Sequence, residues 1–172
     1  MPTIRAKLIR LIAFDVDGIM TDGGLYFSDS GEEFKRFNSL DGHGIKMLRA
    51  SGVEVAIITG RTSRCVEARA KNLGITHVYQ GAEHKLGAMV DLLNKLKLSR
   101  DAAAYMGDDV VDLTVMRHVG LAISVPESPA LVHTHSHYIT QRSGGHGAVR
   151  EACELIMSAQ DTLDAQLAQY LQ

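Results

Sequence analysis

Two aspartates one residue apart, Asp15 and Asp17, directly follow the apolar residues 11–14. Side chains two residues apart on an extended chain point to the same side, so the two carboxylates would lie close together. They repel each other unless a cation or a shared proton offsets their charge, and a hard divalent cation suits paired carboxylates. An Asx-turn, in which both acids only accept backbone hydrogen bonds, is the alternative. This pattern alone leaves both interpretations open.

Polar side chains follow two further apolar segments in the same way. Thr59, Gly60 and Arg61 come after residues 53–58, and Asp108 comes after residues 102–106 and a glycine. A hydroxyl, a guanidinium and another carboxylate therefore stand where strands are expected to end.

Strands and amphipathic helices are predicted to alternate along the chain. The predicted strands are residues 11–14, 53–58, 75–79, 102–106 and 121–125. This alternation predicts parallel βαβ units in a doubly wound, Rossmann-like α/β sheet. The carboxyl ends of such strands share one edge, and ligands bind there at the reversal of strand order. Lys85 begins an amphipathic helix after the third strand, so we expect it at this edge with Asp15, Asp17, Thr59 and Asp108.

Capping residues predict where the helices begin and end. A helix should follow residue 38, with Asp41 or Ser39 as its N-cap and Gly52 just beyond its end. Gly74 is expected to end the next helix, because glycine readily adopts the left-handed conformation.

Two segments do not belong to the alternating strands and helices of the predicted sheet. Turn-forming residues 28–31 separate the alternating segments 25–27 and 33–37, which predicts a β-hairpin flap near Asp15. Residues 151–172 are predicted to form an amphipathic helix. Its core-facing residues would be Leu155, Ile156 and Leu163.

Length and composition predict one domain over residues 1–172, because 45% of the residues are apolar and there is no low-complexity stretch. The net charge of −2 gives no general attraction to nucleic acid or to an anionic membrane. No apolar run approaches the roughly 20 residues of a membrane span, so we expect a cytoplasmic protein. Cys65 and Cys153 lack a metal or redox spacing, which suits a reducing compartment.

Four motifs in the expected order resemble those of the haloacid dehalogenase superfamily of phosphatases. They are residues 15–21, residues 59–61, Lys85 and residues 107–112. Within that superfamily the chain is most similar to the capless 3-deoxy-D-manno-octulosonate 8-phosphate phosphatases. The segments that carry this similarity are residues 22–23, 37–38, 41–45, 80–81, 104–109 and 144–151. The resemblance extends over nearly the whole chain.

The resemblance implies an HAD-like domain without a cap, and a phosphatase that acts on a phosphosugar of lipopolysaccharide precursor synthesis. Asp15 would attack phosphorus to form an aspartyl-phosphate, and Asp17 would protonate the leaving alkoxide and then deprotonate the attacking water. Thr59 would hold the phosphoryl oxygens, and Lys85 would neutralise Asp15 and the developing charge.

The same resemblance implies ligands for Mg²⁺ and for the substrate. The metal would be bound by the side chain of Asp15, the backbone carbonyl of Asp17 and the side chain of Asp108. The implied substrate contacts are Asp17, Asn38, Ser39, Leu40, Asp41, Gly42, Lys46, Gly60, Arg61, Arg69, Lys85 and Asp109. Lys46 is expected on the first turn of its helix, whose N-terminus would face the site. Arg69 as a surface charge is the alternative.

A homotetramer is also implied by the capless subfamily. The segments between the motifs are too short for a cap, so hairpins paired between subunits would close each site. Residues 142–147 are the expected moving part, since their glycines allow large backbone changes.

Three other interpretations remain. The same catalytic groups would serve a nonulosonate 9-phosphate phosphatase of the sialic acid type. A non-catalytic regulatory or oligomerisation module is the second. The third is a zinc site on a strand that carries His133, His135 and His137 on one face.

Overall fold

The computed structural model describes residues 2–171. The strands are β1 Leu11–Phe14, β2 Tyr26–Phe27, β3 Glu33–Phe34, β4 Glu54–Ile58, β5 His77–Tyr79, β6 Ala103–Met106, β7 Leu121–Ser124 and β8 Tyr138–Ile139. The helices are α1 Pro2–Ala6, α2 Ser39–Ala50, α3 Arg64–Leu73, α4 Lys85–Leu96, α5 Leu113–Met116, α6 Ala130–Thr134, α7 Ala148–Ala159 and α8 Leu163–Ala168. Two 3₁₀ turns, Arg100–Ala102 and Val110–Asp112, precede β6 and α5.

Six of the strands form one sheet in the order β5-β4-β1-β6-β7-β8, and every neighbouring pair is parallel. The chain runs outward from β1 to β4 and β5, and then returns to the other side of β1 for β6. The strand order therefore reverses between β1 and β6. Phe14 pairs with Ile57 and Met106, and β4 continues for one more residue to Ile58, so the three central strands end within one residue of the same level. The predicted doubly wound α/β fold is confirmed.

Both faces of the sheet are covered by helices. In β1, Ile12 and Phe14 belong to a core with α2, α3 and α7, whereas Leu11 and Ala13 belong to a core with α4 and α5. The alternation follows the two-residue period of a strand whose two faces are both buried. This burial fixes β1 in place and thereby the loop that follows it.

Three local predictions need correction. The N-cap of α2 is Asn38 instead of Asp41 or Ser39, because the extended Asn38 places its side chain to accept from the N–H groups of Leu40 and Asp41. Lys46 is consequently on the second turn of α2. The helix predicted over residues 151–172 is two helices, α7 and α8, separated near residue 161. The prediction that Gly74 ends α3 is confirmed, since Gly74 is left-handed with φ 71°.

The C-terminal helices meet the core as predicted. Ile156 is buried, and Leu155 and Leu163 pack against the same cluster. A two-residue edge strand, β8, was not predicted, because two partly exposed residues carry too little pattern.

The histidines do not share a strand face. His133 lies in α6, where its Nε2 is 2.9 Å from the carbonyl oxygen of Val125, and Nδ1 of His137 accepts from the N–H of Ala122. Among residues 2–171, the one group of three or more candidate metal ligands is a set of aspartates elsewhere. The structure gives the zinc interpretation no support.

The predicted hairpin is present as the antiparallel pair β2–β3, which forms a separate small sheet. Gly31 closes its turn with φ 82° and donates to the carbonyl of Ser28. No helix within residues 2–171 combines the length and apolarity that crossing a membrane requires. A single domain over residues 1–172, with its flap at about 24–37 and tail at about 142–172, stays a prediction.

Candidate active site

A cavity of about 380 Å³ opens at the carboxyl ends of β1, β4 and β6. It is lined by eight of the residues singled out in the sequence and by Gly23, Leu25 and Val111. The eight are Asp15, Asp17, Thr59, Gly60, Arg61, Lys85, Asp108 and Asp109. Because the three strands end at nearly the same height in the sheet, side chains up to 94 positions apart in the sequence meet in one place.

Asp15 is the first residue beyond β1 and is buried. Its N–H donates to the carbonyl of Met106 at the end of β6, which continues the sheet ladder by one step. Its Oδ1 accepts from the N–H of Val16, and its Oδ2 lies 2.8 Å from Nζ of Lys85. The carboxylate is thus held from both sides by groups of fixed position.

Gly18 makes the turn after Asp15 possible. Its φ is 87°, and a Cβ at this position would lie 2.2 Å from Oδ2 of Asp108. The absence of a side chain therefore lets the loop that carries Asp15 approach the loop that carries Asp108. The predicted mobile segment packs on the same loop, because Gly144 lies against the carbonyl of Gly18 and Gly145 donates to the carbonyl of Ile19.

Lys85 connects Asp15 to a second buried acid, Asp112. Nζ of Lys85 is 2.7 Å from Oδ1 of Asp112, and the hydroxyl of Tyr105 donates to the same oxygen at 2.8 Å. The N–H groups of Asp108 and Asp109 both donate to Oδ2 of Asp112. Asp112 is therefore saturated by protein donors, and we interpret it as the anchor of the loop instead of a metal ligand.

Two acids of the site, Asp15 and Asp108, have raised pKa values. Burial, with repulsion from Asp112, raises the pKa of Asp15 to about 6 although Lys85 opposes the change. Burial, with repulsion from Asp112 and Asp15, raises the pKa of Asp108 to about 7. Burial alone would lower the pKa of Lys85, but Asp15 and Asp112 outweigh it and the pKa is raised. The site is therefore short of positive charge.

The residues fit a hard divalent cation. Carboxylate oxygens of Asp15, Asp108 and Asp112 lie within 4.8 Å of one another. Each oxygen of Asp112 already accepts from two protein donors, whereas each oxygen of Asp15 has one such partner. Asp15 and Asp108 are therefore the side chains of this group with lone pairs left for an ion. When all three carboxylates are ionised, the single Lys85 ammonium leaves a surplus of two negative charges, which a divalent cation would offset. An all-oxygen donor set is the kind that Mg²⁺ prefers.

Asp17 has different surroundings from Asp15. Its Oδ1 is 2.5 Å from Nζ of Lys35, and its Oδ2 is 3.6 Å from Nε of Arg61. Glu33 contacts both cations at 3.1 Å. Sequence reasoning missed Lys35 in this position. The alternation along residues 33–37 was the available signal, because it places Lys35 on the same side of the hairpin as Glu33.

The remaining predicted substrate contacts do not line this cavity. The side chain of Asn38 caps α2, and its amide donates to the carbonyl of Gly145. Arg69 donates to the carbonyl of Asn38 and stands 5.6 Å from the ring centre of Phe37, so it is an ordered side chain and not a loose surface charge. Asp41 is buried, and Lys46 is exposed. The residues that lie outside the cavity are Asn38, Ser39, Leu40, Asp41, Gly42, Lys46 and Arg69.

Asp41 holds the C-terminal segment against α2. It accepts from the N–H groups of Gly147 and Arg150, and burial raises its pKa although these hydrogen bonds act in the opposite direction. The start of α7 is thus tied to the start of α2.

Comparison with known proteins shows close similarity to one group of enzymes. The 3-deoxy-D-manno-octulosonate 8-phosphate phosphatase KdsC of Yersinia pestis is 49% identical over 160 residues, which are 93% of this chain and 86% of that protein. A crystal structure of a probable YrbI family phosphatase from Pseudomonas syringae pv. phaseolica has a TM-score of 0.97 and 53% identity, covering 99% of this chain and 97% of the other.

A third relative was crystallised with small molecules. The 3-deoxy-D-manno-octulosonate 8-phosphate phosphatase of Moraxella catarrhalis, in complex with a magnesium ion, a phosphate ion and KDO, has a TM-score of 0.96 and 47% identity. The match covers 98% of this chain and 97% of that chain. No protein-family model matches the sequence.

Proposed function

Since the chain belongs to the 3-deoxy-D-manno-octulosonate 8-phosphate phosphatases of the haloacid dehalogenase superfamily, we propose that it hydrolyses this phosphosugar to the free sugar acid and phosphate. The observation that carries the proposal is the Moraxella relative, because the phosphate and KDO in its complex are the two products of that reaction, and a magnesium ion is bound with them. The enzyme is a Mg²⁺-dependent phosphoric monoester hydrolase of lipopolysaccharide precursor synthesis.

Asp15 is the nucleophile of the proposed mechanism. Its carboxylate attacks phosphorus in line with the departing sugar oxygen, so an O–P bond forms as the ester P–O bond breaks. The Val16 N–H and Lys85 fix its orientation before the reaction. Asp15, Asp108 and the carbonyl of Asp17 would hold Mg²⁺, which would supply positive charge to draw electron density from the phosphoryl oxygens.

Asp17 acts as the acid and then as the base. It gives a proton to the sugar alkoxide as that group departs, and it takes a proton from the water that attacks the aspartyl-phosphate. Thr59 and the Gly60 amide hold the phosphoryl oxygens, and Lys85 offsets charge on Asp15. Asp109 lines the same cavity on the loop that Asp112 anchors.

A direct assay tests the substrate. We expect Mg²⁺-dependent phosphate release from 3-deoxy-D-manno-octulosonate 8-phosphate, with activity lost in EDTA and restored by added Mg²⁺. A nonulosonate 9-phosphate measured beside it should have a kcat/KM lower by about 10-fold or more, since shape differences in a pocket commonly discriminate on that scale. Faster turnover of the nonulosonate would overturn the substrate assignment, and no release from either would favour a non-catalytic module.

We also place the enzyme in the cytoplasm as part of the proposal. Both cysteines are free, as expected in a reducing compartment. The cavity presents carboxylates, an ammonium and a guanidinium to a small phosphosugar, which suits a diffusible substrate.

A homotetramer is the proposed assembly. Four apolar side chains of the hairpin are exposed: Leu25, Tyr26, Phe27 and Phe34. An exposed apolar patch on a short two-stranded sheet favours association with other copies. We propose that hairpins pair between subunits, and that the predicted substrate contacts outside the cavity, such as Lys46 and Arg69, serve a neighbouring subunit's site.

Replacing Phe27 and Phe34 together by Ser should break the tetramer, because the patch loses both of its phenylalanine rings. Multi-angle light scattering would measure the mass of the wild type and of the variant. Leu131→Ser is the control, since Leu131 is equally exposed on α6 and should leave the mass unchanged. A wild-type monomer with full activity would end the shared-site proposal.

A further inference from the structure

Lys35 points from a surface hairpin into the active site. Its side chain is only 2% exposed, whereas that of the next residue, Arg36, is 60% exposed. Phe34 on the other side is also exposed. Lysine is almost never buried without a charged partner, because removing the ammonium group from water is costly. The hairpin therefore turns one specific side chain inward.

The partners of Lys35 form a closed ring of four charges. Lys35 contacts Asp17 at 2.5 Å and Glu33 at 3.1 Å, and Arg61 contacts Glu33 at 3.1 Å and Asp17 at 3.6 Å. Two cations and two anions balance, so the ring needs no further ion. Glu33 and Lys35 both come from the hairpin, Asp17 from the loop after β1, and Arg61 from the loop after β4. The ring ties the hairpin to the catalytic edge.

The two aspartates are oriented by different groups. Asp15 accepts from a backbone N–H as well as from Lys85. Among residues 2–171, the one hydrogen bond to the Asp17 carboxylate comes from Lys35. The Arg61 contact is longer and is an ion pair only. The orientation of the Asp17 carboxylate therefore depends on Lys35, because no backbone N–H of residues 2–171 also holds it.

We propose that Lys35 is a positioning residue for the reaction, which holds the Asp17 carboxylate toward the leaving group and ties it to the hairpin. This inference rests on the proposed function of Asp17 as the acid for the sugar alkoxide. Misplacing a catalytic group by about 1 Å can cost about 10²-fold in rate. Losing the Lys35 contact should therefore slow the step that needs a well-placed proton donor.

The dependence on the leaving group distinguishes positioning from a structural role. We expect Lys35→Met to lower kcat/KM on the sugar phosphate by about 10²-fold and to change turnover of p-nitrophenyl phosphate little, since its phenolate leaves without a proton. Lys35→Arg should recover part of the loss. Arg36→Met is the matched control on the same hairpin, and it should leave both activities near wild type. Thermal melting of each variant checks the fold.

A double-mutant cycle with Asp17→Asn separates this inference from the function on which it rests. If Lys35 acts through Asp17, Lys35→Met adds no further loss on the sugar phosphate in the Asp17→Asn background. Equal losses on both substrates in Asp17→Asn alone would overturn the proposed role of Asp17. A selective loss in Asp17→Asn, but equal losses or a gain in Lys35→Met, would overturn the positioning role and leave the proposed function standing.

Discussion

Replacing Asp15 by Asn should lower the rate of turnover by at least about 10⁴-fold and leave the fold intact. The amide is nearly the same size and can still accept from the N–H of Val16. It cannot attack phosphorus, and it offers no negative charge to Mg²⁺ or to Lys85. Single-turnover measurement of phosphate release would quantify the loss, because it detects even one round of chemistry.

The matched control for Asp15→Asn is Asp91→Asn. Asp91 also lies 2.8 Å from a lysine, Lys95, but on an exposed helix surface, so its loss should not affect turnover. Beryllium fluoride identifies the nucleophile directly, because it forms an adduct that mimics the phosphorylated carboxylate. An adduct on a residue other than Asp15, or turnover by Asp15→Asn near the wild-type rate, would contradict the assignment.

The ends of the central strands could be predicted from the sequence, because the signals are local. Apolar runs that stop at Asp15, Thr59 and Asp108 mark the point where burial ends, and parallel strands place those points at one edge. Gly74 is a similar case, since a left-handed residue at a helix end depends on its neighbours only. These positions therefore needed no knowledge of distant contacts.

The contacts within the site could not be predicted, because they join distant parts of the chain. Lys35 meets Asp17 only if the hairpin folds back over the loop, and a charged residue on a hairpin ordinarily faces water. Tyr105 reads as one more apolar residue of β6, yet its hydroxyl fixes Asp112. The Asp112 carboxylate in turn has all its acceptor positions taken by protein donors. Residues 107–112 contain three aspartates, and their types alone do not show which of them is taken in this way.

Capping was mispredicted at α2 for a related reason. Asp41, Ser39 and Asn38 are all good N-cap residues, so their types alone do not choose between them. The structure chooses Asn38 because Asp41 is committed to the N–H groups of Gly147 and Arg150, more than a hundred residues away. A tertiary contact thus moved the start of the helix by a few residues.

Lys85 and Lys95 offer a comparison within one helix. Both lie on α4, and each is within 2.8 Å of an aspartate. The side chain of Lys85 is 6% exposed, and that of Lys95 is 60% exposed. Removing one partner of a buried ion pair leaves uncompensated charge, whereas an exposed pair is screened by water. The same substitution should therefore have very different effects at the two positions.

Lys85→Met should lower kcat by about 10²–10³-fold, because the site loses a donor that is in place before charge develops. It should also lower the free energy of unfolding by about 3–5 kcal/mol, since Asp15 and Asp112 lose the cation between them. Added Mg²⁺ should restore part of that stability by replacing the lost charge. Thermal melting with and without Mg²⁺ measures the loss of stability and its recovery. Lys95→Met should change neither kcat nor stability appreciably. Equal destabilisation by the two variants, or full turnover by Lys85→Met, would mean that Lys85 does not balance the charge of the site.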